Sequence, residues 1–418
     1  MTSARVALNL NPSNTDALFN TAQSINILAE ALKEFMSTRT PSRDAGSARE
    51  AIGLLGEALK LLDKCFSLQQ KLLQEQVGAN SEPDGGVPLN ADDQTPQPYQ
   101  NMNNADDSEM TEQTATIQEP TTPMDLFDTL RLSLDALVVL IALQEPQDFS
   151  STSAMASFLL DVQLPPILSQ LSPSDRTEVD PAVALSRVEV TMALAKAEFL
   201  SRRITLADYS SRFQVYETLD LTTNYPNICT CADALMESAT FITQSPDLSA
   251  NADEATSTST ISWTQLSRAQ TLYGRALQVN YADAKKADIW EHRGDVDMMR
   301  LRLLLRDDTH QTMAKLRHHA PQLVKNAETY YRQALGLFKA DVFSSTQRAV
   351  QRLDTKVEVA RLVQGLGHSG QGDKVVVVDA FWKQGQGRRV WVQDMEDEGI
   401  LSKDWVDELG MLLAAKQS

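Results

Sequence analysis

The sequence predicts an all-α protein, a superhelical array of antiparallel helix pairs interrupted by a disordered acidic loop. Hydrophobic residues make up 42% of the 418 residues but aromatic residues only 6%, a balance that favours helix over sheet. Apolar residues recur at spacings of three and four along most of the chain. One helical pattern, Ala-x3-Tyr-x2-Ala, occurs twice, and its small–large–small face suits close packing of a neighbouring helix. The two copies are Ala269/Tyr273/Ala276 and Ala327/Tyr331/Ala334.

Two long helices are predicted before residue 80. Residues 14–35 carry one apolar stripe, and Ser13 with Asp16 is expected to cap that helix. The stripe consists of Leu18, Ala22, Ile25, Ala29 and Leu32. Residues 47–76 carry a second stripe, which consists of Ala51, Leu55, Ala58, Leu62 and Cys65.

An acidic loop is predicted at 78–121. From Leu72 to Leu130 the chain has twelve acidic residues and no Lys or Arg. The middle of this stretch is polar and poor in apolar residues, so it cannot bury enough surface to offset its ordering entropy. The loop is either a tolerated solvated insertion or a segment that shields or attracts a basic client.

Further helices are predicted in the middle of the chain. Asp180 and Pro181 are expected to open one of them as cap and first-turn proline. Thr205 and Asp208 form a capping box for another, whose buried face is expected to carry Tyr209 and Phe213 together with Tyr216 and Leu219. The predicted helices are 123–144, 152–171, 181–203, 205–221 and 227–243.

The last part of the array is expected to follow a second polar loop at 245–260. A Gly-rich linker and a C-terminal extension, helical for the most part, are expected at 367–418. Residues 374–393 fit either a hairpin or a helix, and helix is favoured because an isolated hairpin would be marginally stable. The predicted helices of this part are 261–279, 283–306, 320–340 and 344–366.

The repeated pattern resembles the second helix of a tetratricopeptide repeat, and Trp290 with Gly294 resembles the Trp-x3-Gly pair of that family's first helix. The family period is about 34 residues, whereas Ala269 and Ala327 lie 58 residues apart. The resemblance therefore covers an interrupted array over 1–366. It implies a groove lined by the first helix of each pair, with Tyr273 and Tyr331 as core residues of the second helices.

Charge and hydropathy narrow the class of partner. The net charge of −18 disfavours direct binding to nucleic acid or to an anionic membrane, which attract Lys and Arg. The longest apolar run, Ala136 to Leu143, is far shorter than the roughly 20 residues of a membrane span. Three cysteines and the lack of a signal-peptide pattern predict a cytoplasmic or nuclear protein.

No enzymatic apparatus is predicted. The segment Gly365–Gly370 fits GxGxxG, but a helical pattern precedes it where a dinucleotide site needs a strand. The histidines form no metal-binding motif, and no nucleophile stands in a recognisable catalytic context. Neither a cofactor nor a metal is expected.

One basic patch stands out in this acidic chain. It is either an ordinary charged helix face or a site for an acidic peptide, including the protein's own acidic loop. Its candidate binding residues are Arg300, Arg302, Arg306, Lys315, Arg317 and Arg332.

The resemblance implies a scaffold or adaptor that binds a protein or peptide partner in its groove. The alternative is an acidic chaperone or escort for a basic client such as a histone or a ribosomal protein, since the acidic insertion resembles those of histone-binding tetratricopeptide proteins. The two hypotheses differ in whether binding depends on the acidic loop 78–121 and on salt.

Overall fold

The structure is a computed structural model in which every regular segment described is helical. It describes residues 2–37, 45–79, 120–145, 149–244, 252–279, 283–305, 315–340 and 346–368, together with residues 395, 400 and 401. No β-strand occurs within these ranges, so the prediction of an all-α protein is confirmed. Most of the acidic loop 78–121 and the whole of 374–393 lie outside the described residues.

The first four helices carry the predicted apolar stripes. They are α1 (Thr2–Leu10), α2 (Thr15–Ser37), α3 (Ala45–Ala79) and α4 (Pro123–Leu143). The stripe of α3 and that of α2 are buried as predicted, except that Leu32 keeps some exposed surface. The predicted cap is wrong by one residue: Asn14, and not Ser13, accepts a hydrogen bond from the Ala17 N–H at 2.8 Å.

The region after α4 corrects two predicted boundaries. It comprises α5 (Ser150–Phe158), a π-helical turn (Leu159–Gln163), α6 (Leu164–Gln170) and α7 (Pro173–Leu200). The π turn interrupts the predicted helix 152–171 just before Pro165 and Pro166, which cannot donate to carbonyls one turn earlier.

Helix α7 begins eight residues before the predicted start at Pro181. Ser172 caps it by accepting a hydrogen bond from the Asp175 N–H at 3.2 Å, and Pro173 occupies the first turn. The same Ser/Asp-then-Pro signal therefore occurs twice, and the earlier copy is the one that starts the helix. Pro181 lies inside α7 on its exposed side.

The capping box and the aromatic face predicted after residue 204 are both confirmed. The Thr205 hydroxyl accepts from the Asp208 N–H at 3.1 Å, and the Asp208 carboxylate accepts from the Thr205 N–H at 3.0 Å. The predicted single helix is instead α8 (Leu206–Arg212) followed by a 3-10 helix (Phe213–Thr218). Its four predicted face residues are buried, and α9 (Tyr225–Gln244) follows.

The C-terminal helices are α10 (Ala252–Ala276), α11 (Asp283–Leu305), α12 (Ala320–Ala340) and α13 (Thr346–His368). The predicted polar loop 245–260 is wrong for 252–260, which belong to α10. Thr258 and Ser259 are buried there, because small hydroxyl side chains fit between packed helices. Residues 245–251 lie outside the described part of the chain.

Helices pack mainly on their neighbours in sequence. Among the described helices α2 packs on α3, α3 on α4 and α4 on α7, and each helix from α9 to α12 packs on the next. One apolar core gathers residues of α2 to α7, and a second gathers residues from α7 to the C-terminal helices. Helix α7 contributes to both cores.

Candidate functional site

The two repeated tyrosines are fully buried, as the sequence predicts. Tyr273 and Tyr331 both have 0% exposed surface. The Tyr331 hydroxyl donates to Asp295 of α11 at 2.8 Å, and the Tyr273 hydroxyl donates to Asp233 of α9. In both cases the tyrosine bonds to an aspartate of the preceding helix: Tyr273 of α10 to α9, and Tyr331 of α12 to α11.

Helix α9 shares a spacing with α11 that the sequence analysis did not note. Its residues repeat the spacing of the Trp-x3-Gly pair and the aspartate that follows it in α11. The equivalent residues are Ile228/Ala232/Asp233 in α9 and Trp290/Gly294/Asp295 in α11. The match is hard to see in the sequence because α9 has Ile where α11 has Trp, and Ala where α11 has Gly. The small residue followed directly by Asp in both helices could have revealed it.

Helices α11 and α13 contact each other through charged groups. Lys356 of α13 is only 2% exposed, and its Nζ lies 2.8 Å from Glu291 Oε1 and 2.8 Å from Asp295 Oδ1 of α11. Arg352 Nη2 donates to Glu291 Oε2 at 2.7 Å. Burial opposes ionisation of Glu291, but Lys356 and Arg352 outweigh it and lower its pKa to about 2.

A similar contact joins α9 to α11. His292 Nδ1 lies 3.4 Å from Asp233 Oδ1, and the His292 ring packs against the Tyr273 ring at a centroid distance of 5.6 Å. Burial lowers the pKa of His292, but the bond to Asp233 outweighs it and raises the pKa above its ordinary value. Charged pairs therefore join α9 to α11 and α11 to α13.

A cleft with a volume of about 260 Å³ opens between α4, α7 and α9. Buried aromatic side chains form its floor, small and aliphatic side chains form its walls, and charged and hydroxyl groups line the rest. The lining residues are Tyr209, Phe213 and Tyr216; Val138, Ala142, Met192, Ala193 and Ala234; and Lys33, Glu189, Lys196, Thr230, Asp233, Glu237 and Ser238.

Two carboxylates of the cleft differ in their surroundings. Lys196 Nζ lies 2.6 Å from Glu237 Oε1. Partial desolvation opposes ionisation of Glu237, but Lys196 outweighs it and lowers the pKa, and the Glu237 side chain still exposes 67% of its surface. Glu189 makes no hydrogen bond or ion pair within the described residues. Burial and then the Asp135 carboxylate raise the pKa of Glu189 to about 7, and Arg131 offsets them only in part.

The predicted basic patch is spread over several elements. Arg300 and Arg302 lie on α11, Lys315 and Arg317 lie just before α12, Arg332 lies on α12, and Arg306 is outside the described residues. Several of these charges have partners inside the protein.

Arg300 Nη1 donates to Asp297 at 3.1 Å, and its guanidinium lies 4.4 Å from the centroid of the Trp263 ring. Arg317 Nε donates to the Leu304 carbonyl at 3.2 Å, and Arg332 pairs with a glutamate one turn away on α12. The role of the patch in binding stays a prediction.

Metal-ligand groups, membrane-spanning helices and related proteins can each serve as a guide to the function of a protein. In the part of the chain that the structure describes, no group of three or more His, Cys, Asp and Glu side chains is placed to hold a metal ion. The described helices include none that combines the length and apolar character needed to cross a membrane. No protein-family model matches the sequence, and no curated protein matches it.

Proposed function

We propose that this protein is an interaction scaffold that binds a protein or peptide partner in the cleft between α4, α7 and α9. The observation that carries the proposal is the cleft's lining, which combines apolar walls, an aromatic floor and a few charged groups. Concave sites of this composition are typical of ligand and peptide binding.

The arrangement of helices supports the same function. Helices that pack on their sequence neighbours form extended surfaces that are widely used to bind other proteins. The tetratricopeptide resemblance implies a groove lined by first helices. If it holds, α9, which contributes Asp233 and Glu237 to the cleft, is one of these helices.

A pair of cleft-blocking variants tests the proposal. Ala193→Trp fills the wall of the cleft and Ala142→Trp obstructs its exposed rim, whereas Ala154→Trp, on the exposed side of α5, is the matched control. Affinity purification with quantitative mass spectrometry should show at least one partner depleted about tenfold by both cleft variants, a loss of about 1.4 kcal/mol in binding.

The control should retain that partner at the wild-type level. If both cleft variants fold, as judged by circular dichroism, and every partner is still recovered at the wild-type level, the cleft is not the binding site.

The acidic escort remains the second candidate because of the twelve acidic residues without a Lys or Arg between Leu72 and Leu130. The two ends of the insertion lie close together. With its amide oriented so that both bonds form, the Gln76 side chain donates to the Thr121 carbonyl and accepts from the Thr121 N–H, each at 3.0 Å. A short Gly/Ser linker can therefore replace residues 80–119 and leave the Thr122 cap of α4 in place.

This deletion separates the two candidates. An acidic escort should lose affinity for a basic client and become less sensitive to salt when the loop is removed. A scaffold that uses the cleft should bind its partner unchanged.

A further inference from the structure

Glu189 is the carboxylate of the cleft that lacks a partner among the described residues. Of the other two, Glu237 is paired with Lys196 at 2.6 Å. Asp233 accepts from the Tyr273 hydroxyl and lies 3.4 Å from His292 Nδ1. A partly buried carboxylate without a counter-charge is costly to keep ionised, unless an incoming cation compensates it.

The groups that face Glu189 leave it short of positive charge. From α4, Asp135 repels it and Arg131, an exposed side chain, attracts it more weakly. Lys196 of α7 is engaged with Glu237, and Lys33 of α2 lies near Glu237 as well. Burial is the main reason that the pKa of Glu189 is raised to about 7, and the Asp135 carboxylate adds to it.

A second unmatched polar group lines the same cleft. Ser238 is 2% exposed, and its hydroxyl has no hydrogen-bond partner in the part of the chain that the structure describes. Burial raises the pKa of Tyr209 to about 12, and the nearby Ser238 hydroxyl offsets this only in part, without a well-formed bond between them. The hydroxyl is thus available to accept from a donor that enters the cleft.

The cleft's walls suit the stem of a long cationic side chain. Val138, Ala193 and Ala234 present apolar surface on three different elements around the space. Lys and Arg side chains bury their methylene stems on such surface and keep their charged end with a polar partner. A neutral aliphatic chain would leave Glu189 uncompensated, and an anion would be repelled by it.

We propose that the cleft takes a lysine or arginine side chain of the protein partner, with its stem between Val138, Ala193 and Ala234 and its charged end at Glu189. This deepens the proposed scaffold function and rests on it, since it specifies what the partner inserts.

Methyl NMR with small probes tests the proposal. Met192 lines the cleft and is one of 13 methionines, so the full chain labelled at its methionine methyl groups carries a reporter, which Met192→Leu assigns. The probes are n-butylammonium, n-butylguanidinium and the neutral n-butanol, titrated at pH 8 so that Glu189 is ionised. The cation that binds more tightly tells whether the site prefers Lys or Arg.

Both cations, or one of them, should shift the Met192 signal saturably, while n-butanol at the same concentrations should not. Glu189→Gln should weaken that response about tenfold or more, the scale of a charge-assisted contact. Glu178→Gln removes an exposed carboxylate from the same helix and should leave the response unchanged. In the absence of probe, methionine signals other than that of Met192 that match wild type show that each variant is folded.

Two results would overturn the proposal: an equal response to n-butanol, or cation binding that survives Glu189→Gln. The partner experiment keeps this failure distinct from failure of the scaffold proposal. Loss of the partner with Ala193→Trp but full retention with Glu189→Gln keeps the scaffold and rejects the cation site. Cation binding that depends on Glu189, with no partner lost on blocking the cleft, rejects the scaffold instead.

Discussion

Replacing Gly294 with alanine should destabilise the protein, because the backbone of α11 lies directly against the Tyr331 ring. A Cβ at position 294 would stand 2.3 Å from Cε1, 2.6 Å from Cδ1 and 2.8 Å from Cζ of that ring. Carbon atoms in favourable contact are about 3.5–4.0 Å apart, so the ring would have to retreat by about 1.2 Å. Tyr331 has no exposed surface, and its hydroxyl is held at 2.8 Å by Asp295.

The size of the expected change in stability follows from two opposing effects. Forcing an extra methyl group into a packed core costs about 1–3 kcal/mol, or more where a hydrogen bond such as that of Tyr331 is strained as well. Alanine is about 1 kcal/mol better than glycine inside a helix. We expect Gly294→Ala to lower the free energy of unfolding by about 2 kcal/mol. This takes the packing cost at the upper end of its range, because the ring is fully enclosed, and subtracts the helix preference of alanine.

Gly336→Ala is the matched control, since it makes the same chemical change on α12. A Cβ there meets nothing within 4 Å. The helix preference then acts alone, and the variant should be stabilised by about 0.5–1 kcal/mol. The free energy of unfolding should therefore fall in Gly294→Ala and rise in Gly336→Ala, relative to wild type.

Urea unfolding followed by circular dichroism at 25 °C measures both changes. A double-mutant cycle with Tyr331→Ala isolates the contact, because the penalty of Gly294→Ala should vanish once the ring is absent. If Gly294→Ala unfolds at the same or a higher urea midpoint than wild type, the close packing of α11 on Tyr331 is refuted.

Two further substitutions test the buried charges. Glu189 has a pKa raised from 4.5 to about 7, so the folded state holds its proton more tightly, and stability is lost as pH rises between those values. Glu189→Gln should therefore stabilise the protein by about 1–3 kcal/mol at pH 8 and not at pH 4, with solvent in the cleft reducing the full effect of the shift. Thermal unfolding across pH, with the exposed-site variant Glu178→Gln as the control, measures this; a stability change for Glu189→Gln that does not vary with pH would refute the raised pKa. Lys356→Ala should lower the free energy of unfolding by about 3–5 kcal/mol, because Glu291 and Asp295 lose their buried cation; a urea midpoint unchanged from wild type would contradict this.

Local patterns predicted most of the helices correctly. The stripe from Ala51 to Cys65 is buried because residues three and four apart share a helix face whatever that face packs against. The Thr205–Asp208 capping box is confirmed for a similar reason: both of its bonds join groups within one helical turn.

Predictions that needed to know distant neighbours were the ones that failed. Residues 252–260 look like a loop because they are rich in Ser and Thr, and only packing against other helices makes Thr258 and Ser259 buried helix residues. Pro181 looks like a helix start, yet Ser172 offers an earlier cap and an exposed proline is tolerated inside α7.

The cleft could not be predicted from any spacing in the sequence. Its walls come from α4, α7 and α9, which meet only through tertiary packing. Glu189 lies in an ordinary helical stretch and acquires its raised pKa from burial and from Asp135 on another helix. The basic patch was easier to see because its residues are close in sequence, although several of their charges are matched inside the protein.

Helix α7 serves two cores at once, since Val188 belongs to the C-terminal core and Val190, two residues on, belongs to the N-terminal core. If either half of the molecule melts, one flank of this helix is exposed to water. The cost of that exposure links the two halves into a single cooperative transition, although a chain of neighbouring contacts would by itself favour stepwise unfolding.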